Sequence, residues 1–287
     1  MMIIAPVTPT IIPNQPVRRC ALVALALLLW LVAGQVRAVE RTEIHDFLKV
    51  TGFDVAVRSI AGSVADAPAM LGLSEEDFGP GWQSAVADLF AEAELQGLAL
   101  DMLETTLSEE MRVHAMEFYG SALGRRLITV ENAAHMAPDD PGAEAEGARL
   151  YAEAGDARRA LLERMAAGVD VSGVAVDAAQ DFQVRFLMAA SAAGLLEGEL
   201  DEAALRAQLG QGRAALAETL RQSGIHGAAY TYRDFTDDEL LTYVEALETP
   251  LMARVYELLN AVQYEIMANR FERLALRMGD LRAGQEL

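Results

Sequence analysis

Apolar side chains recur along much of the chain at intervals of three and four residues, which is the spacing of one face of an α-helix. Such stripes occur in residues 82–90 and 174–193, and the longest covers residues 251–266. Stretches in which polar and apolar residues alternate are nearly absent. Because half-buried strands need that alternation, the pattern predicts an all-α protein, a multi-helix bundle with these stripes in its core.

Hydroxyl residues followed by acids predict where three helices begin. Ser74 and Thr236 each have an acid at the third position after them, Asp77 and Glu239. In this arrangement each side chain can accept a hydrogen bond from a backbone N–H that the helix leaves free. Ser108 is also followed by two acids, but it lacks one at the third position and is a weaker version of the same signal.

An internal repeat becomes visible when the second half of the chain is aligned with the first. Ser108 then aligns with Thr236, and Ser121 with Thr249. The interval between the two hydroxyls is the same in both copies, so each copy predicts a helix, a sharp corner and a second helix. Pro250 directly follows Thr249, and proline is favoured at the first position of a helix.

A weaker similarity lies upstream, where residues 52–55 match residues 168–171. We therefore predict a bundle built from two diverged helical repeats. The first covers residues 39–137, and the second, a degenerate copy, covers residues 151–287. Two prolines and a glycine interrupt the helical pattern between them, and we interpret residues 138–150 as a linker.

The segment 1–38 has the three parts of a secretory signal peptide. Arg18 and Arg19 precede an apolar run over residues 20–34, and small or aliphatic residues stand at positions 36 and 38. As a helix this run would be about 22 Å long, short of the roughly 30 Å hydrocarbon core of a bilayer. We therefore expect cleavage after Ala38 and a periplasmic location, with an uncleaved inner-membrane anchor as the alternative.

Charge and cysteine content exclude some classes of function. The chain has 43 acidic and 23 basic side chains, a formal charge of -20, and an apolar fraction of 52%. So acidic a protein is not expected to bind nucleic acid through phosphate contacts, and its apolar fraction suffices for a core. Cys20, the only cysteine, lies in the predicted signal peptide. The chain that remains after cleavage would have neither a disulfide nor a thiol nucleophile.

The first corner carries an additional signature. After the acidic helix start come an aromatic pair, Phe118 and Tyr119, then the corner hydroxyl of Ser121, Gly124, and the basic residue Arg126. This order of residues resembles the signature of the bacterial family called domain of unknown function 2059. The similarity covers roughly residues 95–136.

Two departures from that signature are visible. Ala122 stands where proline is usual in the family. The second copy keeps Thr249 and Pro250 but has neither the aromatic pair nor the glycine. What the resemblance implies is an exported, helical bacterial protein from a family with no established activity.

Residues that could carry catalysis form no recognisable motif. Of the four histidines, only His114 has a possible metal-binding neighbour at helical spacing, Glu110, and no second histidine stands beside them. Neither a nucleophile elbow nor a glycine-rich phosphate loop occurs in the sequence. The 43 acidic side chains are too numerous for one pair to stand out. We therefore expect no catalytic residues, no bound metal and no cofactor.

Aromatic and basic residues at the two corners are the candidate binding residues: Phe118, Tyr119, Arg126 and Arg254. We expect Phe118 to be buried within the first corner and Tyr119 to be partly exposed. The tyrosines of the second half can line a groove or complete the core, and the core is the favoured interpretation. They are Tyr230, Tyr232, Tyr243, Tyr256 and Tyr264.

Two charges are kept in both copies, which predicts ion pairs. Glu117 and Arg126 of the first copy align with Glu245 and Arg254 of the second. On one straight helix the two members of a copy would be separated by a rise of about 13 Å, too far for direct contact. We expect each arginine to meet the glutamate of the other copy, with pairing inside one copy or full solvation as alternatives.

These observations favour a non-enzymatic binding or interaction protein of the cell envelope. Its partner would be another envelope protein, a peptide or an apolar small molecule, and no stable membrane span would remain after cleavage. The alternative is a hydrolase that uses carboxylates or a metal at His114. A pocket with two converging acids or three metal ligands would favour the hydrolase, and an apolar groove would favour binding.

Overall fold

Helices occupy the positions that the apolar stripes predict. The computed structural model describes residues 39–137, 141–170 and 173–285, and these residues contain helices and connecting turns without any strand. The prediction of an all-α protein is therefore confirmed. The signal peptide predicted for residues 1–38 lies outside the described residues.

The α-helices follow one another along the chain in a single series. In order, they are α1 Arg41–Thr51, α2 Phe53–Ser59, α3 Ala67–Met70, α4 Trp82–Leu89, α5 Glu92–Thr106, α6 Glu109–Tyr119, α7 Ala122–Met136, α8 Pro141–Glu153, α9 Asp156–Val169, α10 Val174–Ala192, α11 Glu202–Gln211, α12 Arg213–Thr231, α13 Asp237–Leu247 and α14 Pro250–Ala283. Two short 3-10 helices, Ile60–Asp66 and Glu75–Gly81, connect α2 to α4 around α3.

Helix α8 covers most of the segment that the sequence predicts as a linker. Pro141 is the first residue of this helix. Proline is compatible with the first turn because the backbone N–H that it lacks has no partner there in any case. Pro141 therefore marks a helix start, and the boundaries of the two repeats stay predictions.

The first predicted corner is present between α6 and α7. Ser108 caps α6, because its side chain accepts a hydrogen bond from the backbone N–H of Met111 at 3.2 Å. Ser121 caps α7 in the same way, accepting from Gly124 at 3.0 Å. A Cβ atom at Gly124 would lie 2.3 Å from the carbonyl oxygen of Phe118. The start of α7 therefore packs directly on the end of α6, which only glycine allows.

The second predicted corner joins α13 to α14. Thr236 and Glu239 form the predicted capping box, with the backbone N–H of Thr236 donating to Glu239 at 2.9 Å. Thr249 accepts from the backbone N–H of Met252 at 3.3 Å, and Pro250 is the first residue of α14. Met252, which aligns with Gly124, is fully buried. The second corner thus carries a core side chain where the first carries none.

A single core extends through both predicted repeats, and α14 forms its centre. Buried residues of the first half, such as Phe90, lie in the same apolar cluster as those of α10 and α14. The ring of Phe271 packs edge-on against Phe90 and Phe182, with centroids 5.5 and 5.0 Å apart. A smaller cluster of Leu162 and two neighbours fills the space beneath α8 and α12. Within the described ranges, no helix is both long and apolar enough to span a membrane.

Candidate functional site

A cavity of about 160 Å³ lies between α2, α7 and α14. Apolar side chains form much of its wall, including Phe53 and Ala56 from α2 and Val255 and Leu259 from α14. Its polar lining comprises Thr51, Tyr119, Glu131, Asn132, His135, Tyr256, Asn260 and Gln263. A mostly apolar pocket with a few convergent polar groups is the usual form of a small-molecule site.

Helical spacing brings the polar side chains to one place. Glu131, Asn132 and His135 lie within one turn of α7 and therefore share a face of that helix. Asn260 and Gln263 share a face of α14 in the same manner. The two faces meet across the cavity.

Residues that the predicted repeat aligns line this cavity together. In the alignment that places Ser121 on Thr249, Asn132 falls on Asn260 and His135 on Gln263. In the upstream alignment Phe53 falls on Val169, which also contacts the cavity. The cavity therefore lies where corresponding faces of the two predicted repeats meet. Descent of the two halves from one ancestral repeat stays a prediction.

Gly52 sets the approach of α2 to α7 at the edge of the cavity. Its φ is +71°, in the left-handed region that favours glycine. A Cβ atom at this position would lie 2.6 Å from Oδ1 of Asn132 and 3.0 Å from Ile128. Both the backbone angle and the close approach therefore require glycine.

A network of tyrosine hydroxyls surrounds Glu131. Tyr232 and Tyr243 both donate to its Oε1 atom, at 2.7 and 3.0 Å. The hydroxyl of Tyr243 lies 2.8 Å from that of Tyr256, which in turn lies 2.5 Å from the hydroxyl of Tyr119. The network joins α6, α7, α13 and α14 with the residue that follows α12. It therefore connects the two predicted repeats through buried polar contacts.

The carboxylate fixes the direction of these hydrogen bonds. Because Tyr243 gives its proton to Glu131, its oxygen is left to accept from Tyr256. Tyr256 then accepts from Tyr119. Each tyrosine hydroxyl in this series of hydrogen bonds therefore donates its proton to the next member. Such a one-way chain is cooperative, since each bond polarises the next.

Burial shifts the pKa values within the network. Loss of solvent raises the pKa of Glu131 above its ordinary value, while the hydrogen bonds from Tyr232 and Tyr243 act in the opposite direction. Burial also raises the pKa values of Tyr119, Tyr232, Tyr243 and Tyr256, most of them strongly. The tyrosines therefore keep their protons, and Glu131 is the group of the network that titrates at the lowest pH.

The structure reverses the prediction for the aromatic pair. Tyr119 is only 3% exposed, whereas Phe118 is partly exposed and stacks on the ring of Tyr243 at 5.8 Å. The reason is the phase of α6, in which Met111, Ala115 and Tyr119 follow one another at intervals of four on its buried face. Phe118 lies one residue, or about 100°, away from that face.

The predicted ion pairs between the copies are wrong. Arg126 pairs with Glu239 and lies over the ring of Phe235 at 4.7 Å. Across the described ranges, no ion pair joins Glu117 or Glu245 to either corner arginine, and Arg254 is exposed. The contact of Arg126 with the capping residue of α13 still crosses between the copies. Neither arginine lines the cavity, and the binding role predicted for the corner residues stays a prediction.

His114 joins the middle of α6 to the second corner. Its Nε2 atom lies 3.1 Å from the hydroxyl of Thr249, the residue that caps α14. This hydrogen bond accounts for the histidine without a metal. In the part of the chain that the structure describes, no group of three or more histidine, cysteine or acidic side chains could hold a metal ion.

A second depression of about 570 Å³ runs between α10 and α14. Its acids are largely paired with arginines on neighbouring helices. The pairs are Asp177 with Arg213, Asp181 with Arg206, and Glu265 with Arg185. Because these charges satisfy one another, the groove offers fewer uncommitted polar groups than the cavity beside Glu131.

Sequence reasoning missed Glu131 and the amides around it. Nothing local distinguishes Glu131 from the other acids of the chain, because its partners Tyr232 and Tyr243 are distant in sequence. The signal that was available is the repeat itself, since Asn132 and Asn260 are identical residues at aligned positions. Of the five tyrosines expected in the core, Tyr232 and Tyr243 are buried, and Tyr230, Tyr256 and Tyr264 are partly exposed.

Comparison with known proteins supports the resemblance stated for the first corner. Residues 93–153 match the family described as "Uncharacterized protein conserved in bacteria (DUF2059)". This segment contains α6 and α7 and therefore Tyr119, Glu131 and Asn132 of the cavity. No curated protein and no solved structure gives a significant match to the chain.

Proposed function

We propose that the protein is an exported, periplasmic binding protein without catalytic activity, and that it takes a small ligand into the cavity beside Glu131. The observation that carries this proposal is the combination of apolar walls with convergent polar groups at the junction of α2, α7 and α14. An engineered cavity of about 150 Å³ holds one benzene molecule. The ligand is therefore a small molecule of about one ring, or a single side chain of a peptide or envelope protein.

Export rests on two observations from the sequence. The basic, apolar and small-residue segments of residues 1–38 follow the order of a signal peptide. The high acidity of the remaining chain suits a protein that stays dissolved in the periplasm.

A hydrolase is the alternative, and the cavity favours it less. Glycosidases and related enzymes place two carboxylates on opposite sides of the reacting bond. Among the described residues that line the cavity, Glu131 is the only carboxylate. Two tyrosines hold it in a fixed position, which suits recognition better than acid–base exchange with a second group.

A fragment screen with a cavity-filling variant tests the proposal. The purified protein is mixed with single-ring fragments, and its melting temperature is followed. Ala56→Leu adds three carbon atoms to a buried cavity wall, whereas Ala133→Leu makes the same change on the exposed side of α7 and serves as the control. We expect fragments to stabilise the native protein and Ala133→Leu, and to lose that effect in Ala56→Leu.

The opposite outcome is equally clear. Fragments that stabilise all three proteins equally bind elsewhere, and an absence of stabilising fragments contradicts the cavity as a binding site. The smaller change Ala56→Val provides a second filled variant if Ala56→Leu proves too unstable to fold.

A further inference from the structure

One oxygen of Glu131 has no partner among the described residues. Both tyrosines that bind the carboxylate, Tyr232 and Tyr243, donate to Oε1. Neither of these tyrosines lines the cavity, whereas Glu131 does. The second oxygen, Oε2, is therefore the hydrogen-bonding position that Glu131 leaves for a ligand.

The cavity provides no positive charge to balance this carboxylate. Its described lining contains no lysine and no arginine. Among the described lining residues the only basic side chain is His135, and displacement of water from its ring lowers its pKa, which disfavours the charged form. A partly buried carboxylate without a cationic neighbour is costly, and a bound cation would remove that cost.

Hydrogen-bond directions leave several free acceptors in the cavity, which also contains amide and imidazole N–H donors. The hydroxyl protons of Tyr119 and Tyr256 are used within the tyrosine network, which leaves oxygen lone pairs at its Tyr119 end. Asn260 donates from Nδ2 to the carbonyl of Val169 at 2.9 Å, which leaves its Oδ1 atom without a partner among the described residues. The rings of Phe53, Tyr119 and Tyr256 also contribute to the wall, and aromatic faces attract cations.

We propose that the ligand of this cavity is a small organic ammonium ion, whose N–H groups bind Oε2 of Glu131 and whose apolar part, about one ring in size, lies against α2 and α14. This inference rests on the proposed binding function and adds the chemical class of the ligand. An ammonium group has three donors and no acceptor, which is the complement of the acceptors in the cavity. The apolar part has the size that the cavity volume allows.

Three probes of nearly the same shape and different charge test the ligand class: benzylammonium, benzyl alcohol and benzoate. Binding of each to the purified protein is measured by calorimetry. We expect benzylammonium to bind about tenfold or more tightly than benzyl alcohol, because hydrogen bonds to a charged group are among the strongest. Benzoate should not bind, since it would place a second negative charge beside Glu131.

Glu131→Gln removes the charge and keeps an acceptor for Tyr232 and Tyr243, so that the network can persist. In this variant the preference for benzylammonium over benzyl alcohol should disappear. Glu117→Gln is the matched control, because it removes one exposed carboxylate from the neighbouring helix α6. The control should retain the full preference of the native protein.

The pH dependence of binding is a readout that a purely structural role of Glu131 would not affect. Binding of benzylammonium should weaken as the pH is lowered from neutrality and Glu131 takes up a proton, while binding of benzyl alcohol should stay constant. The tyrosines that face Glu131 from α6, α13, α14 and the end of α12 keep their protons over this range. His135 is the other group to account for, and a His135→Gln variant should show the same pH dependence.

The possible failures can be told apart. If benzyl alcohol binds the native protein as tightly as benzylammonium does, the ammonium proposal is wrong and the binding cavity stands. If benzylammonium binds Glu131→Gln as tightly as the native protein, the carboxylate is not its partner. If none of the three probes binds, both the ligand class and the proposed function are overturned.

Discussion

The hydroxyl of Tyr119 lies 2.5 Å from the hydroxyl of Tyr256 and joins the end of α6 to the second turn of α14. Tyr119 is the first donor of the chain that ends at the carboxylate of Glu131. Its position explains why a residue next to an exposed corner is almost completely buried. It also makes Tyr119 a test of how much the network contributes to stability.

Truncation of the aromatic pair should show which member belongs to the core. We expect Tyr119→Ala to lower the free energy of unfolding by about 3–5 kcal/mol, the usual range for a buried aromatic side chain. Phe118→Ala should cost clearly less, because its ring is only partly buried. Urea denaturation of the two variants measures both values. A larger loss for Phe118→Ala would contradict the packing of α6 against the core through Tyr119.

Gly52 and Gly72 offer a matched comparison of backbone strain and steric contact. Both have φ close to +70°, but a Cβ atom would meet Asn132 at Gly52 and nothing within 4 Å at Gly72. We expect Gly72→Ala to cost about 1–2 kcal/mol from strain alone. Gly52→Ala should cost about 1–3 kcal/mol more, because Asn132 must move. Equal losses of unfolding free energy in the two variants, measured by thermal or urea unfolding, would show that Asn132 can move aside at no energetic cost.

The raised pKa of Glu131 predicts how its contribution to stability varies with pH. Above the ordinary carboxyl pKa, the folded state still holds a proton that the unfolded state has lost. This contribution is therefore fully present below the ordinary value of 4.5 and disappears as the pH rises through the folded-state pKa. We expect the native protein to lose stability relative to Glu131→Gln over that window. Urea unfolding at several pH values tests the sign.

Tyr232 should hold the pKa of Glu131 down. Its hydrogen bond favours the ionised carboxylate, so Tyr232→Phe should raise the pKa of Glu131 further. Carboxyl carbon NMR during a pH titration measures the change. Tyr230→Phe is the control, since Tyr230 contacts Arg233 and lies outside the network. If the pKa of Glu131 is unchanged in Tyr232→Phe, this hydrogen bond does not stabilise the ionised carboxylate.

The corners could be predicted because capping is local. The hydroxyl at 108, 121, 236 or 249 accepts from the N–H at the third position after it, so one short stretch of sequence contains the whole signal. The phase of α6 was also present in the sequence, as the spacing of Met111, Ala115 and Tyr119. That spacing places Tyr119, and not Phe118, on the buried face, which is why the prediction for the aromatic pair is wrong.

The cavity could not be predicted in the same way. Glu131 becomes distinctive only when Tyr232 and Tyr243 are brought to it by the packing of α12 and α13. The same holds for Arg126, whose partner Glu239 is set by the position of a helix start that sequence spacing does not fix. Charges that recur in both copies gave a wrong pairing, because Arg126 meets Glu239 at the start of α13 and Arg254 is exposed.

The central position of α14 has a consequence for the order in which the protein can fold. The ring of Phe271 completes the packing around Phe90, yet it is synthesised far later. At about 5–20 residues per second, this interval is roughly 10–40 s. During that time the parts of α4, α5 and α6 that pack against α14 stay uncovered, although the contacts of α5 and α6 with α1 can already form. The core therefore closes only after the last helix is made, so the proposed export would have to carry a chain whose core is still incomplete.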